Sequence, residues 1–205
     1  MKKFILMLVI LLALPTLSFA YNWSPGDTVA ISDGTYGNFL LYDVNDQSRQ
    51  EETFCVQKYT YFNWNQPYYV EDVSDSILGF GVNDYGLNYV TDQTKWLFGS
   101  FALGQLPGYT GTQQQIAWLQ NAIWAYQGYN VDVTNNPYYA LAQDPNIVPF
   151  DVAAVNIYSF DKRAAQSQLT LDEAGGQDVP VPEPATMVLF GSGLILLGLW
   201  RKIKE

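Results

Sequence analysis

The sequence predicts a mainly β domain with one or two packed helices, of sandwich or barrel-like type, followed by a single C-terminal transmembrane helix. Three observations lead there. Short β-branched and aromatic runs bounded by turn residues fill the first half of the chain. An amphipathic stretch opened by a capping signature begins near residue 112, and a largely apolar run stands close to the C-terminus. With 205 residues, 48% hydrophobic and 16% aromatic, the chain has material for one core plus processing segments.

The strand-like runs are Thr28 to Ile31, Gly37 to Tyr42, Thr53 to Phe62 and Tyr68 to Val73, separated by turn clusters such as Ser24-Pro25-Gly26-Asp27 and Asn65-Gln66-Pro67. Two helices follow. Asp92 to Leu103 places Trp96 and Leu97 on an apolar face, with Gly99 as a weak point. The second opens on Thr112-Gln113-Gln114-Gln115, which has capping-box form, and stops at Gly128. Its face runs through Ile116, Leu119, Gln120, Ile123 and Gln127, so Gln120 is a polar residue on an apolar stripe. A Pro- and Asn-rich loop from Asn135 to Pro149 and a last strand-like segment, Ser167 to Asp172, complete the domain.

Composition excludes several functions. The chain has no histidine, which removes Ser-His-Asp and Cys-His catalysis and histidine metal sites; no metal or other cofactor is expected. Residues 4–200 hold nineteen acidic and five basic residues, a formal charge of −14 that repels phosphate backbones, so nucleic acid is excluded as a partner. A single cysteine, Cys55, cannot form an intramolecular disulfide.

The two ends read as processing signals. Lys2 and Lys3, an apolar run from Phe4 to Leu14, and Ser18-Phe19-Ala20 are the parts of a secretory signal peptide, with cleavage between Ala20 and Tyr21. At the other end, Pro182-Glu183-Pro184 precedes an apolar run over 185–200 that would span about 24 Å as a helix, and Arg201 and Lys202 follow at once. The basic cluster retains the last residues in the cytoplasm and leaves the bulk of the chain outside. The organisation is therefore a signal peptide (1–20), an exported β-rich domain (21–175), a linker with the Pro-Glu-Pro motif (176–184), a transmembrane helix (185–200) and a basic cytoplasmic tail (201–205).

Pro182-Glu183-Pro184, the glycine-containing apolar run and the Arg201-Lys202 cluster together resemble the PEP-CTERM sorting signal of Gram-negative bacteria. The resemblance implies handling first by signal peptidase and then by an exosortase. It also implies anchoring in the inner membrane through residues 185–200, then release to the cell surface or extracellular matrix, the setting of biofilm and adhesion proteins.

One constellation could carry chemistry. In a period-2 strand from Thr53 to Tyr61, Phe54 and Val56 face a core while Cys55 faces whatever covers the other side, and the helix bearing Gln120 is a natural cover. A thiol beside a glutamine amide, with water excluded, can displace ammonia and form an internal thioester that an incoming amine opens. Phe54-Cys55-Val56 and Gln120-Asn121-Ala122-Ile123-Trp124 resemble the two motifs of bacterial thioester domains in surface adhesins. The resemblance implies Cys55 as thiol and Gln120 as acyl partner, with a surface amine as target. Gln57 competes for the acyl role but lies about 7 Å along the strand.

Other readings stand beside it. Cys55 could be a plain buried thiol. Tyr59, Tyr61, Phe62 and Trp64 would form a sugar-stacking platform if exposed, although strand aromatics more often pack in cores; a non-covalent glycan- or protein-binding module is thus an alternative function. A glycan-active enzyme using Glu51-Glu52 or Glu71-Asp72 is a second alternative, though no enzymatic activity is expected.

Overall fold

A computed structural model describes residues 23–34, 38–81 and 84–172. The expected signal peptide with its Ala20–Tyr21 junction, the expected linker with Pro182, Glu183 and Pro184, the expected transmembrane helix over 185–200 and the Arg201-Lys202 tail lie outside those residues. The chain divides into two units, 1–175 and 176–205, and the first contains every described residue. Among the described residues, no helix is long and apolar enough to cross a membrane.

Among the described residues, six strands form one antiparallel sheet: β1 (Thr28–Asp33), β2 (Phe39–Asp43), β3 (Gln50–Thr53), β4 (Tyr68–Ser74), β5 (Val152–Tyr158) and β6 (Gln168–Leu171), in the order β3-β2-β1-β4-β5-β6. A bulge at Glu71 shifts the β4–β5 register and adds local twist. The sheet nearly closes on itself. The chain leaving β3 runs alongside β6, where Leu169 N donates to Phe54 O (3.1 Å), Val56 N donates to Ser167 O (3.1 Å), and Thr53 Oγ1 donates to Leu169 O (2.6 Å). Closure of this kind satisfies backbone groups that an open edge would leave to solvent. Of the two expected all-β forms, the barrel-like one describes the protein.

Among the described residues, three helices accompany the sheet: α1 (Asp92–Ala102), α2 (Gln113–Tyr126) and α3 (Pro137–Leu141). Thr91 caps α1 by accepting from Thr94 N, and Thr112 with Gln115 forms the expected capping box on α2. Gly128 ends that helix at φ +88°, a conformation only glycine adopts without strain. Gly99, which weakens α1 by propensity, is required by packing: a Cβ there would lie 2.4 Å from the Phe150 side chain. The short α3 falls inside the stretch expected to be loop; Asn136 caps it and Pro137 starts it.

Two hydrophobic clusters share the sheet between them. Val29, Ile31, Leu41, Val70, Val155 and Ile157 pack together on one face. Leu97, Phe98, Leu119 and Ile123 of the helices pack with Phe54, Val56, Val152, Ala154 and Leu169 on the other. β5 contributes to both, odd residues to one cluster and even residues to the other, and is buried along nearly its whole length. That double burial leaves no polar alternation in Val152-Ala153-Ala154-Val155-Asn156-Ile157, so the strand has no period-2 signature.

The expected strand from Thr53 to Phe62 is corrected as well. β3 stops at Thr53, and beyond it only Cys55 makes a bridge, to Gln168. Phe54, Cys55, Val56 and Gln57 are all buried, because the segment threads between the barrel seam and the helices instead of presenting one face to each.

β3 also carries an unusual carboxyl. Trp23 Nε1 donates to Glu51, Thr170 bonds it as well, and the Arg49 guanidinium lies 5.0 Å from the Trp23 ring centroid. Burial of the carboxyl pushes it up to about 8. The folded state therefore retains a proton that the unfolded chain releases in the ordinary carboxylate range. Stability accordingly falls as pH rises from that range towards about 8. In Glu51→Gln this part of the pH dependence should vanish, and the variant should melt higher than wild type at pH 8; parallel melting curves for both proteins between pH 5 and pH 8 would refute the assignment.

Candidate functional site at Cys55

The site begins with backbone geometry. Cys55 and Gln168 are opposed in an antiparallel bridge whose flanking hydrogen bonds are made by their neighbours, Phe54 and Val56 on one side and Ser167 and Leu169 on the other. In such a pair the N–H and C=O of the opposed residue point away from the partner strand. For Cys55 they point towards α2, where no strand continues the sheet. Gln120 fills the gap: Cys55 N donates to Gln120 Oε1 (3.1 Å), and Gln120 Nε2 donates to Cys55 O (2.8 Å). The carboxamide thus takes the place of a peptide group in a neighbouring strand, and its acyl carbon is held beside the residue that carries the thiol. The polar residue on the apolar stripe of α2 is accounted for by this pairing.

The thiol is fully buried and faces a second amide. Gln168 Oε1 lies 3.6 Å from Cys55 Sγ and Gln168 Nε2 lies 3.3 Å from it. Burial pushes the thiol well above its ordinary range, and the hydrogen bond from Gln168 opposes that only in part. Further amides complete the surround. Gln168 Nε2 also donates to Gln166 O (2.9 Å), and Gln166 Nε2 donates to Gln57 O. Gln57, the competing acyl candidate, is committed elsewhere: its Oε1 accepts from Ser167 N (2.7 Å) and its Nε2 donates to Leu78 O (3.2 Å). The structure thus brings Cys55 and Gln120 together and holds the Gln57 amide on other partners. Gln168 was not singled out from sequence; its signal is positional, because Gln166 and Gln168 share one face at a two-residue spacing. Trp124, one turn beyond Gln120, keeps its indole N–H buried with no partner among the described residues.

The segment that follows Cys55 is fixed by Asp84. Its carboxylate accepts from Thr60 N (2.9 Å), Thr60 Oγ1 (2.8 Å) and Tyr129 OH, tying the segment after Cys55 to the end of α2. Burial and the neighbouring Asp84 carboxylate hold the Tyr129 hydroxyl well above the usual phenol range, so it remains a donor.

The remaining candidates lie outside this site. Tyr61 is 76% exposed and Trp64 49%, contrary to the expected core role, because they fall in a loop and not in a strand. Tyr59 is also exposed and meets Tyr129 edge-on, whereas Phe62 is partly buried against Phe39 and Trp64. Glu51 and Glu52 are consecutive on β3 and so point to opposite faces. Asp72 accepts from Ser74 Oγ (2.5 Å), beside the bulge at Glu71. No group of His, Cys, Asp and Glu suited to a metal ion occurs among the described residues.

Comparison with known proteins settles the C-terminal end. Residues 180–202 match the family described as the PEP-CTERM protein-sorting motif, which takes in Pro182, Glu183, Pro184, Arg201 and Lys202. The chain carries an exosortase sorting signal. It is accordingly an exported protein whose C-terminal motif serves membrane-anchored sorting. No curated protein and no solved structure shows significant similarity to the chain. The likeness of residues 50–130 to thioester domains therefore rests on the two short motifs alone.

Removing the Gln120 amide would strand two buried main-chain groups. Each costs about 1–3 kcal/mol when left unpaired, so Gln120→Ala should lower stability by roughly 2–5 kcal/mol. Gln120→Glu should also destabilise the fold at neutral pH, because a carboxylate oxygen cannot donate to Cys55 O. Urea unfolding of the two variants in a Cys55→Ala background, where no thioester can form, measures both effects; midpoints equal to that of Cys55→Ala alone would show that the pairing contributes nothing.

Proposed function

We propose that the exported domain attaches covalently to amines at the cell surface or in the extracellular matrix through a Cys55–Gln120 thioester, after exosortase sorting from the inner membrane. The observation that carries this reading is the seating of the Gln120 amide on the Cys55 main chain. In bond formation, Cys55 Sγ attacks the Gln120 acyl carbon, the C–N bond breaks, and the nitrogen leaves as ammonia with the thiol proton. The charge that develops on Oε1 meets a donor already in place, the Cys55 N–H, which is the arrangement that stabilises a tetrahedral oxyanion. An incoming amine then opens the thioester, forms an amide at Gln120 and returns the thiol. Neither step needs a metal or cofactor, and each bond is made once, so the protein acts as a single-use linker and not an enzyme.

Two features favour Gln120 over Gln168 as acyl partner. Gln168 lies against the thiol through both amide atoms, but its oxygen has no main-chain N–H of Cys55 on it and its nitrogen is shared with Gln166 O. Only Gln120 has its acyl oxygen on a main-chain N–H of the nucleophile residue. Burial serves the same end, since a thioester excluded from water is protected from hydrolysis until a target reaches it.

The mature protein should be lighter than its sequence mass by one ammonia, and it should take up methylamine at Gln120 on exposure to that amine. Cys55→Ala should lose both properties. Because Cys55 is fully buried, failure of a thiol reagent to label the native protein does not distinguish the bond from a sheltered thiol, whereas mass does. A mature protein of full sequence mass that takes up no methylamine contradicts the reading, and methylamine found at Gln168 would reassign the acyl partner.

A further inference from the structure

We infer that the cleft between the 61–67 loop and the β5–β6 turn binds a neutral polysaccharide. The cleft has a volume of about 540 Å³ and is lined from one side by Tyr61, Asn63 and Gln66 and from the other by Phe160, Asp161 and Arg163. That size is ordinary for a small-molecule or oligosaccharide site. It is independent of the Cys55–Gln120 pair, none of whose residues line it.

Two large rings stand open to solvent on opposite walls: Tyr61 is 76% exposed and Phe160 66%. Exposure of that extent does not serve the core. Behind Phe160 the aromatic surface continues, with Tyr69 stacked on Tyr158 (centroids 6.0 Å apart, 27° between planes) and Phe160 6.4 Å from Tyr69. An aromatic face carries partial negative charge and attracts the polarised C–H groups of a pyranose ring. The groups beside the rings are amides and a carboxylate–guanidinium pair, the donors and acceptors that sugar hydroxyls use.

Both walls are preorganised. Arg163 Nε donates to Asp161 Oδ2 (2.6 Å), Ser159 N donates to Arg163 O (2.8 Å), and Lys162 N donates to Ser159 O (2.8 Å), which fixes the turn that presents Phe160. Across the cleft, Asn63 N donates to Tyr68 OH (2.7 Å), Asn63 Nδ2 donates to Gln66 Oε1 (3.2 Å), and Asn65 N donates to Ile31 O (2.8 Å). A ligand entering such a cleft orders little of the protein, which reduces the entropy cost of binding.

Charge selects the class of glycan. Arg163 is neutralised by its own ion pair with Asp161, and residues 4–200 carry a formal −14, so an acidic polysaccharide is repelled. The rings stand on separate walls with polar groups between them, which fits a sugar chain better than the contiguous apolar face of a protein partner.

Affinity electrophoresis of the mature protein through gels containing dextran, a soluble mixed-linkage β-glucan, galactomannan or alginate tests this. At least one of the three neutral polymers should retard the protein, added salt should not release it, and alginate should have no effect. Tyr61→Ala and Phe160→Ala should each weaken retardation roughly tenfold, while Tyr85→Ala, at an 82% exposed position outside the cleft, should leave it unchanged. Cys55→Ala should bind as wild type, so failure here and failure of the thioester are separate results. No retardation by any neutral polymer overturns the inference, as does undiminished binding by the two cleft variants. Self-association that Tyr61→Ala or Phe160→Ala abolishes, without glycan binding, would reassign the cleft to contact between copies of the chain.

Discussion

The main chain of Cys55 lies at the seam where the sheet closes, and its N–H and C=O face away from β6 towards α2. Two buried, unpaired main-chain groups at that point would be costly. The Gln120 carboxamide removes the cost by presenting one donor and one acceptor at the spacing of a peptide group. Much else in the domain supports that contact. The capping box starts α2 in the right register, Gly128 stops it, and Leu119 and Ile123 press the helix onto the sheet beside Gln120. Asp84 ties the segment following Cys55 back to Tyr129 beyond the end of α2.

Structure and chemistry meet in this pairing. A glutamine that satisfies the backbone brings its amide to the residue that carries the thiol, and the N–H that fixes the amide is a donor of the kind an oxyanion requires. The Gln168 amide lies against sulfur. Burial that raises the thiol also excludes water. A site of this kind would suit the single condensation proposed above.

Much of this was legible in the sequence, and the parts that were not have physical causes. The capping signature and the glycine stop located α2 because those signals are local. Gln120 stood out because a polar residue on an apolar stripe needs a partner, and Cys55 because it is the sole thiol. β5 was invisible because burial on both faces erases alternation. The strand expected over Thr53 to Phe62 fails for the opposite reason: its aromatic and β-branched residues have strand propensity, yet Tyr59 and Tyr61 project to solvent from a loop. Propensity records what fits a pleated surface, and tertiary context overrode it here. Gln168 was missed because its role depends on the cross-strand neighbour that closure supplies.

The sorting motif at 180–202 marks the chain as an exported protein, and the thioester proposed at Cys55 and Gln120 would give that protein a means of lasting attachment. The most direct test is an atomic-resolution crystal structure of the mature protein, read at the Gln120 side chain. The account predicts continuous density from Cys55 Sγ to the Gln120 acyl carbon, with Nε2 gone and Oε1 still on the Cys55 N–H. An intact amide hydrogen-bonded to both main-chain groups, with sulfur separate from it, would contradict the thioester and leave the pairing as a purely structural device.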